Sequence, residues 1–216
     1  MLKLLHSSRE GLLNYVTAQL ERFFPDEQTG TKQVLNGCLD EALDRLQNCI
    51  NAVRMWRSGE FDYLHSSQYA IFLYFLANTL WRHKGQQRIC TKLFFLNKSL
   101  NGIDCFYEIE MPEIFFIGHS VGIVLAKATY GNYLVLYQNS TVGKNHGIAP
   151  AIGDGVIMYP NTAIIGASHV RSGSVLSQGV SVINRETPGD CLVYQGNGGN
   201  LVFRPRRNSA DEYFRQ

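Results

Sequence analysis

Two residues pose the chemical question in this chain. His119 stands in the run Ile117-Gly118-His119-Ser120-Val121-Gly122, and Asp104 precedes it by 15 residues. An imidazole steadied by a carboxylate is the usual general base near neutral pH, able to take a proton from a hydroxyl and return it to a leaving group. His6, His83 and His169 have no neighbouring pattern and read as surface or packing residues. A lone histidine is more often structural, so the pair matters only if the fold brings its members together.

The elements that must do so announce themselves by a period of six. After the segment Lys144 to Ala151, aliphatic residues fall at Ile152, Met158, Ile164, Val170, Leu176 and Val182. Compact residues follow four positions after each of the first five, at Val156, Thr162, Ser168, Ser174 and Val180. The same beat runs through Val124, Tyr130, Leu136 and Val142, and earlier through Cys105, Met111, Ile117 and Ile123, with a one-residue slip between Ile123 and Val124. Such a repeat predicts a parallel β-helix, whose rungs share one core and stabilise their neighbours. A triangular coil of three hexapeptides uses about 18 residues, so a separation of 15 is nearly one turn and places Asp104 and His119 on adjacent rungs. His119 also sits just before the slip, and irregularity in a strict repeat is where function tends to lie.

The first hundred residues read as helices. Gly11 to Phe24 has apolar residues at Leu12, Tyr15, Val16, Leu20 and Phe23, and Pro25-Asp26 with Thr29-Gly30-Thr31 breaks it. A longer helix carries Val34, Cys38, Ala42, Leu46, Cys49, Val53 and Trp56 on one stripe and ends at Ser58-Gly59. Ser66 to Arg82 is apolar almost all round, which predicts a helix buried between other helices or subunits. A last helix, about Gln87 to Lys98, leads through Asn101-Gly102 into the repeat. The expectation is an α+β chain with a helical domain over 1–102, a β-helix over 103–184 and a tail over 185–216.

Composition bounds the function. A formal charge of +2 argues against a nucleic-acid binder that works by neutralising phosphates. Five scattered cysteines without metal spacing read as reduced thiols of a cytoplasmic protein. The start, MLKLLHSSRE, lacks the apolar region of a secretory signal, and the most apolar run, Tyr69 to Leu80, falls short of the roughly 20 residues that span a bilayer. No metal is expected either. A metal-dependent β-helix enzyme of the γ-carbonic anhydrase kind needs three histidines on matched rungs, and His119, His146 and His169 stand 27 and 23 residues apart, out of register.

The stretch Gly102 to Val142 resembles the serine acetyltransferases of the left-handed β-helix (hexapeptide) acyltransferase superfamily. Asp104-Cys105-Phe106, two hexapeptides, and Ile117-Gly118-His119-Ser120-Val121-Gly122-Ile123-Val124-Leu125-Ala126 match the family's order, leading to Ser140-Thr141-Val142-Gly143. Trp81 to Gly85 matches its helix end, and Ile152-Gly153-Asp154-Gly155-Val156 its repeat after the loop. The resemblance covers about Tyr63 to the end of the β-helix. It implies a left-handed coil, acetyl-CoA as co-substrate, and a homotrimer with active sites between subunits, leaving open whether trimers pair into hexamers. It places the catalytic histidine on His119 and its partner aspartate on Asp104. It puts the acceptor near Asp62, His65, Gly118 and His146, and the CoA cleft along Gly143, Lys144, Pro160 and Gln178. The tail arginines Arg204, Arg206 and Arg207 could meet CoA phosphates, though a solvated charge run explains them as well.

The departures bear on the acceptor. Where the family has an aspartate before its histidine, to hold the serine ammonium, this chain has Gly118. Its acceptor motif is replaced by Asp62-Tyr63-Leu64-His65-Ser66-Ser67-Gln68, and Ala149 precedes Pro150 where the family has a second histidine, with His146 three residues earlier. The expected activity is O-acetylation of a hydroxyl, with L-serine or a related small hydroxyl acceptor and a sugar of a surface polysaccharide as competing acceptors. A non-catalytic β-helix scaffold is the alternative of another class; it has no need of both His119 and Asp104.

Overall fold

The structure is a computed structural model and describes residues 2–27, 29–207 and 209–215. It opens with a short strand β1 (Lys3–Leu5), which pairs in parallel with β2 (Glu60–Asp62) across the helices α1 (Arg9–Phe23) and α2 (Thr31–Ala52). Ser8 caps α1 by accepting the Gly11 N–H at 3.0 Å. Leu12, Val16 and Leu20 of α1 are buried, as are Leu35, Leu39, Leu46 and Ile50 of α2, each set at helical spacing. The second helix ends at Ala52, so Val53 and Trp56 are buried beyond its end rather than on its stripe.

Helix α3 (Ser66–Arg82) is the hub. Every residue from Ser67 to Leu80 is buried, as the all-round apolar pattern requires. Its buried polar groups are paired: the Asn78 side-chain amide donates to Tyr107 O at 2.8 Å, and the Arg45 guanidinium donates to Asn78 Oδ1 and Thr79 Oγ1. Helix α4 (Gln87–Asn101) runs three residues past the expected end and stops on Gly102, which takes the left-handed conformation at φ 65°.

The chain then winds through about five turns of a parallel β-helix between residues 103 and 193. The first face stacks β3 (Ile103–Cys105), β5 (Ile123–Leu125), β8 (Thr141–Gly143), β11 (Ala163–Ile165) and β14 (Ser181–Ile183). The second face stacks β6 (Thr129–Tyr130), β9 (Ala151–Ile152) and β12 (His169–Val170). The third stacks β4 (Phe115–Ile117), β7 (Leu134–Leu136), β10 (Ile157–Met158), β13 (Val175–Leu176) and β15 (Cys191–Gln195), with β16 (Leu201–Pro205) added antiparallel at its edge.

Ile152, Met158, Ile164, Val170, Leu176 and Val182 are each at most 2% exposed, so the six-residue beat is the core of the prism. The compact positions sit inside its corners, where Ser168 donates to Ile165 O and Ser174 to Arg171 O. Val124 is a correction to that beat. It is 45% exposed and faces outward, while Ile123 and Leu125 on either side point in. Register pairs Leu125, not Val124, with Cys105 above and Val142 below. A second change lies at the lower end: β15 pairs with β13, so the stack continues beyond residue 184.

The first turn has no strand on its second side. Residues 106–114 instead bring Tyr107, Ile109 and Met111 beneath α3, where Tyr74 Oη donates to Ile109 O at 2.6 Å and accepts the Met111 N–H at 3.0 Å. The helical domain thereby covers the upper end of the coil, an edge that would otherwise expose unpaired strand groups. All five cysteines are buried, free thiols. No helix among the described residues is long and apolar enough to cross a membrane.

Candidate active site

His119 lies at the corner where the chain passes from β4 on the third face to β5 on the first. The corner is built from small residues tied to the end of α4. Ser120 is buried and donates to Asn101 O at 2.6 Å, and the Gly122 N–H donates to Gly102 O at 3.0 Å. Gly122 has φ 76°, and a Cβ there would meet Asn139 Oδ1 at 2.1 Å, so only glycine fits. With its neighbours anchored inward, the His119 side chain is left exposed.

The wall beside it is aromatic. The Tyr137 ring lies 6.5 Å from the imidazole and stacks on Tyr159 at 5.7 Å. Phe116 approaches Tyr137 at 6.4 Å and Trp56 at 5.5 Å, and Trp56 in turn meets the His65 ring at 5.9 Å. Tyr213, from the C-terminal segment, closes the group: Tyr137 donates to its hydroxyl at 3.2 Å, and it contacts the Tyr159 hydroxyl at 3.4 Å. Burial, with the hydrogen bonds to Tyr137 and Tyr159 adding to it, pushes the Tyr213 phenol well above its ordinary value.

Tyr213 is held by a strap. After a 3₁₀ turn (Ser209–Glu212), the Arg54 N–H donates to Tyr213 O and the Arg54 guanidinium to Phe214 O, both at 2.7 Å. Arg215 then donates to the carbonyls of Asn51, Val53, Arg54 and Trp56, satisfying groups left open past the end of α2.

Gly118 has a reason in this packing. A Cβ at that position would lie 2.5 Å from Tyr137 Cε1 and 2.8 Å from Cδ1, and that ring is fixed by Tyr159, Phe116 and Tyr213. Tyr137 occupies the space that any side chain at 118 would need. Ser67, in the first turn of α3, reaches the Gly118 carbonyl at 3.3 Å and brings that helix's N-terminus against the corner.

The expected residues fall into two groups. Gly118, His119, Pro160 and Gln178 share the corner between the third and first faces, and His65 joins them through Trp56 and Phe116. Gly143, Lys144 and His146 lie at the next corner, between the first and second faces. There His146 and Gly147, at φ 48° and 81°, form the tip of a two-residue hairpin closed by Asn145 and Ile148, of the kind with positive φ at both central residues. Within one chain the fold does not bring His146 to His119.

Asp104 points out from β3, and its carboxylate is held by Lys98 Nζ at 2.6 Å. Among the described residues no hydrogen bond joins it to His119. The Asp62 side chain accepts the Leu64 N–H at 2.9 Å in the turn before α3, and its backbone N–H donates to Gln68 Oε1. Arg204 lies on β16, at the lower end of the coil. The described residues contain no group of three His, Cys, Asp or Glu side chains able to hold a metal.

Sequence reasoning did not single out Tyr137, Tyr159 or Tyr213, and it named Trp56 only as part of a helix stripe and Ser67 only within the segment before α3. The one available signal was that Tyr137 and Tyr159 each directly follow an inward residue of the third face, Leu136 and Met158, and so must emerge on the same corner.

No protein-family profile matches this chain, and no curated protein sequence does. Solved structures do match it in fold. The serine acetyltransferase from Brucella abortus superposes with a TM-score of 0.71 at 17% identity, over 93% of this chain and 85% of its own. A serine acetyltransferase in complex with CoA gives 0.70 at 16% identity, covering 91% and 86%. The Vibrio cholerae serine acetyltransferase gives 0.67 at 19%, covering 93% and 82%. The chain therefore has the fold of the serine acetyltransferases.

Proposed function

We infer that this chain is an acetyl-CoA-dependent O-acetyltransferase acting on a hydroxyl acceptor, working in the cytoplasm as a homotrimer. The observation that carries the reading is the exposed His119, projecting from an anchored corner beside an aromatic wall, in a fold shared with a serine acetyltransferase solved with CoA.

His119 takes the acceptor's hydroxyl proton as the oxygen attacks the thioester carbonyl, and returns it to the departing thiolate sulfur, so that no proton is left over. Asp104 steadies the imidazolium, which requires its carboxylate to turn from Lys98. Asp62 and His65 border the acceptor from the α3 side. The corner bearing Gly143, Lys144 and His146 comes from a neighbouring subunit, since one chain holds it away from His119; its backbone N–H groups near Gly143 face the developing oxyanion. This division of residues between two corners supports the trimer.

L-serine or a related small hydroxyl compound is the acceptor suggested by the fold's known members. A sugar is the second reading, favoured by Tyr137, which fills the space a carboxylate at position 118 would use to meet an amino-acid ammonium. Thiol release from acetyl-CoA, followed with L-serine and with a panel of sugars, tests both. Acceptor-dependent release is expected. Its absence with every acceptor contradicts the assignment, and preference for serine over every sugar removes the second reading.

A further inference from the structure

Helix α2 turns a polar face away from the core. Glu41, Asp44, Arg45 and Asn48 follow one another at helical steps and so share one side of it. That side, together with Arg82 at the end of α3 and with Met111 and Glu113 of the segment entering β4, borders a recess of about 460 Å³. Small-molecule sites span about 300–1,000 Å³. His119 does not border this recess.

Its charges are sorted by depth. The half-buried Arg45 lies at the floor, with its guanidinium 4.6 Å from the centre of the fully buried Phe75 ring. It donates to Thr79 Oγ1 at 2.7 Å and to Asn78 Oδ1 at 2.8 Å, and both acceptors are neutral. Among the described residues its other N–H groups have no partner, and no carboxylate pairs with it. Glu41, one turn earlier on α2 and the natural partner by spacing, is held instead by His83 Nε2 at 2.7 Å. Glu110 is taken by Arg82. A charge drawn out of water is normally paired, and this one is not. At the mouth stand Asp44 and Glu113, both exposed and, among the described residues, without an ion-pair partner. The recess therefore sets an unneutralised cation below unneutralised carboxylates.

We propose that this recess is a binding site for a free amino acid, with the ligand's carboxylate on Arg45 and its ammonium group between Asp44 and Glu113. A simple anion would gain Arg45 but meet the carboxylates at the mouth, and a simple cation would leave Arg45 unpaired. A zwitterion answers both charges, and the guanidinium fork is matched to a carboxylate. The site is separate from the His119 corner, and its assignment does not depend on acetyl transfer.

Thermal-shift titration of the full chain with the proteinogenic L-amino acids tests it, because a ligand bound only by the folded protein raises the melting temperature according to its concentration and affinity. At least one amino acid should give a saturable rise. Its decarboxylated amine and its N-acetyl form should each bind about tenfold more weakly, since each lacks one charge-assisted contact. The double variant Asp44→Asn, Glu113→Gln should bind the amino acid about tenfold more weakly, no better than it binds the N-acetyl form. Both positions are exposed, so the variant's melting temperature without ligand should stay at the wild-type value. Absence of a rise with every L-amino acid overturns the site. So does amine affinity equal to that of the amino acid, which removes the Arg45 contact. Wild-type amino-acid affinity in the double variant also overturns it, because the binding then belongs elsewhere, the His119 corner included.

Discussion

The lower turns of the coil and its first turn solve the same packing problem differently. From β8 to β14 the inward residues stack in clean columns, with Val142, Ile164 and Val182 on the first face and Met158 and Leu176 on the third. The first turn lacks a strand on one side, buries Tyr107 and Met111 under α3, and slips so that Val124 faces out. Repetition below supplies nearest-neighbour stability. Departure from it above leaves a corner whose small residues are pinned to the end of α4 and whose histidine is exposed. The site stands where the repeat meets the helical domain, and the aromatic wall needs both: Trp56 and His65 come from one, Phe116, Tyr137 and Tyr159 from the other.

The largest contrast should come from one substitution made in each region. Ile164→Asp buries an unpaired charge at a position with no exposure, costing several kcal/mol, and should yield insoluble protein. Val124→Asp, on the outward side of β5, should shift stability by no more than about 0.5 kcal/mol in thermal melts. Similar losses at both positions would erase the distinction between the regions.

Smaller effects sharpen it. Gly118→Ala should cost about 1–3 kcal/mol through overpacking against Tyr137, and the double variant with Tyr137→Ala should recover part of the loss. Arg215→Ala should lower stability by about 1–3 kcal/mol, because four carbonyls around the end of α2 lose a charged donor.

The least effect concerns alkaline pH. The Tyr213 phenol has its folded value raised above the ordinary 10.0, so the unfolded chain ionises first. The stability it contributes is intact below that pH and is lost as pH rises past it. Tyr213→Phe should therefore lose less melting temperature between pH 8 and pH 11 than wild type does.

What could be read from the sequence follows the same division. Ile152 to Val182 were legible because each strict six-residue step reaches the equivalent inward position on the next face, and three steps return to the same buried column. Val124 was misplaced because turn length varies where the helical domain intrudes, and register there is set by α3 and α4 rather than by the repeat. His119 could be found from its place beside the slip. The wall around it could not, since Trp56, Phe116, Tyr137, Tyr159 and Tyr213 are scattered along the chain and meet only through stacking of turns and return of the C-terminal strap. Asp104 shows the limit of spacing alone: it stands on the turn expected for a partner of His119, yet Lys98 from α4, six residues away, holds its carboxylate.

The most direct measurement is acceptor-dependent thiol release from acetyl-CoA by wild type and by His119→Ala, with CoA affinity determined in parallel. A positioned general base is worth roughly 10²–10⁴ in rate. His119→Ala should lower kcat by at least about two orders of magnitude and leave CoA affinity and melting temperature unchanged; Asp104→Asn should fall in the same direction by less. Wild-type turnover in His119→Ala would contradict the assignment of this corner as the catalytic centre.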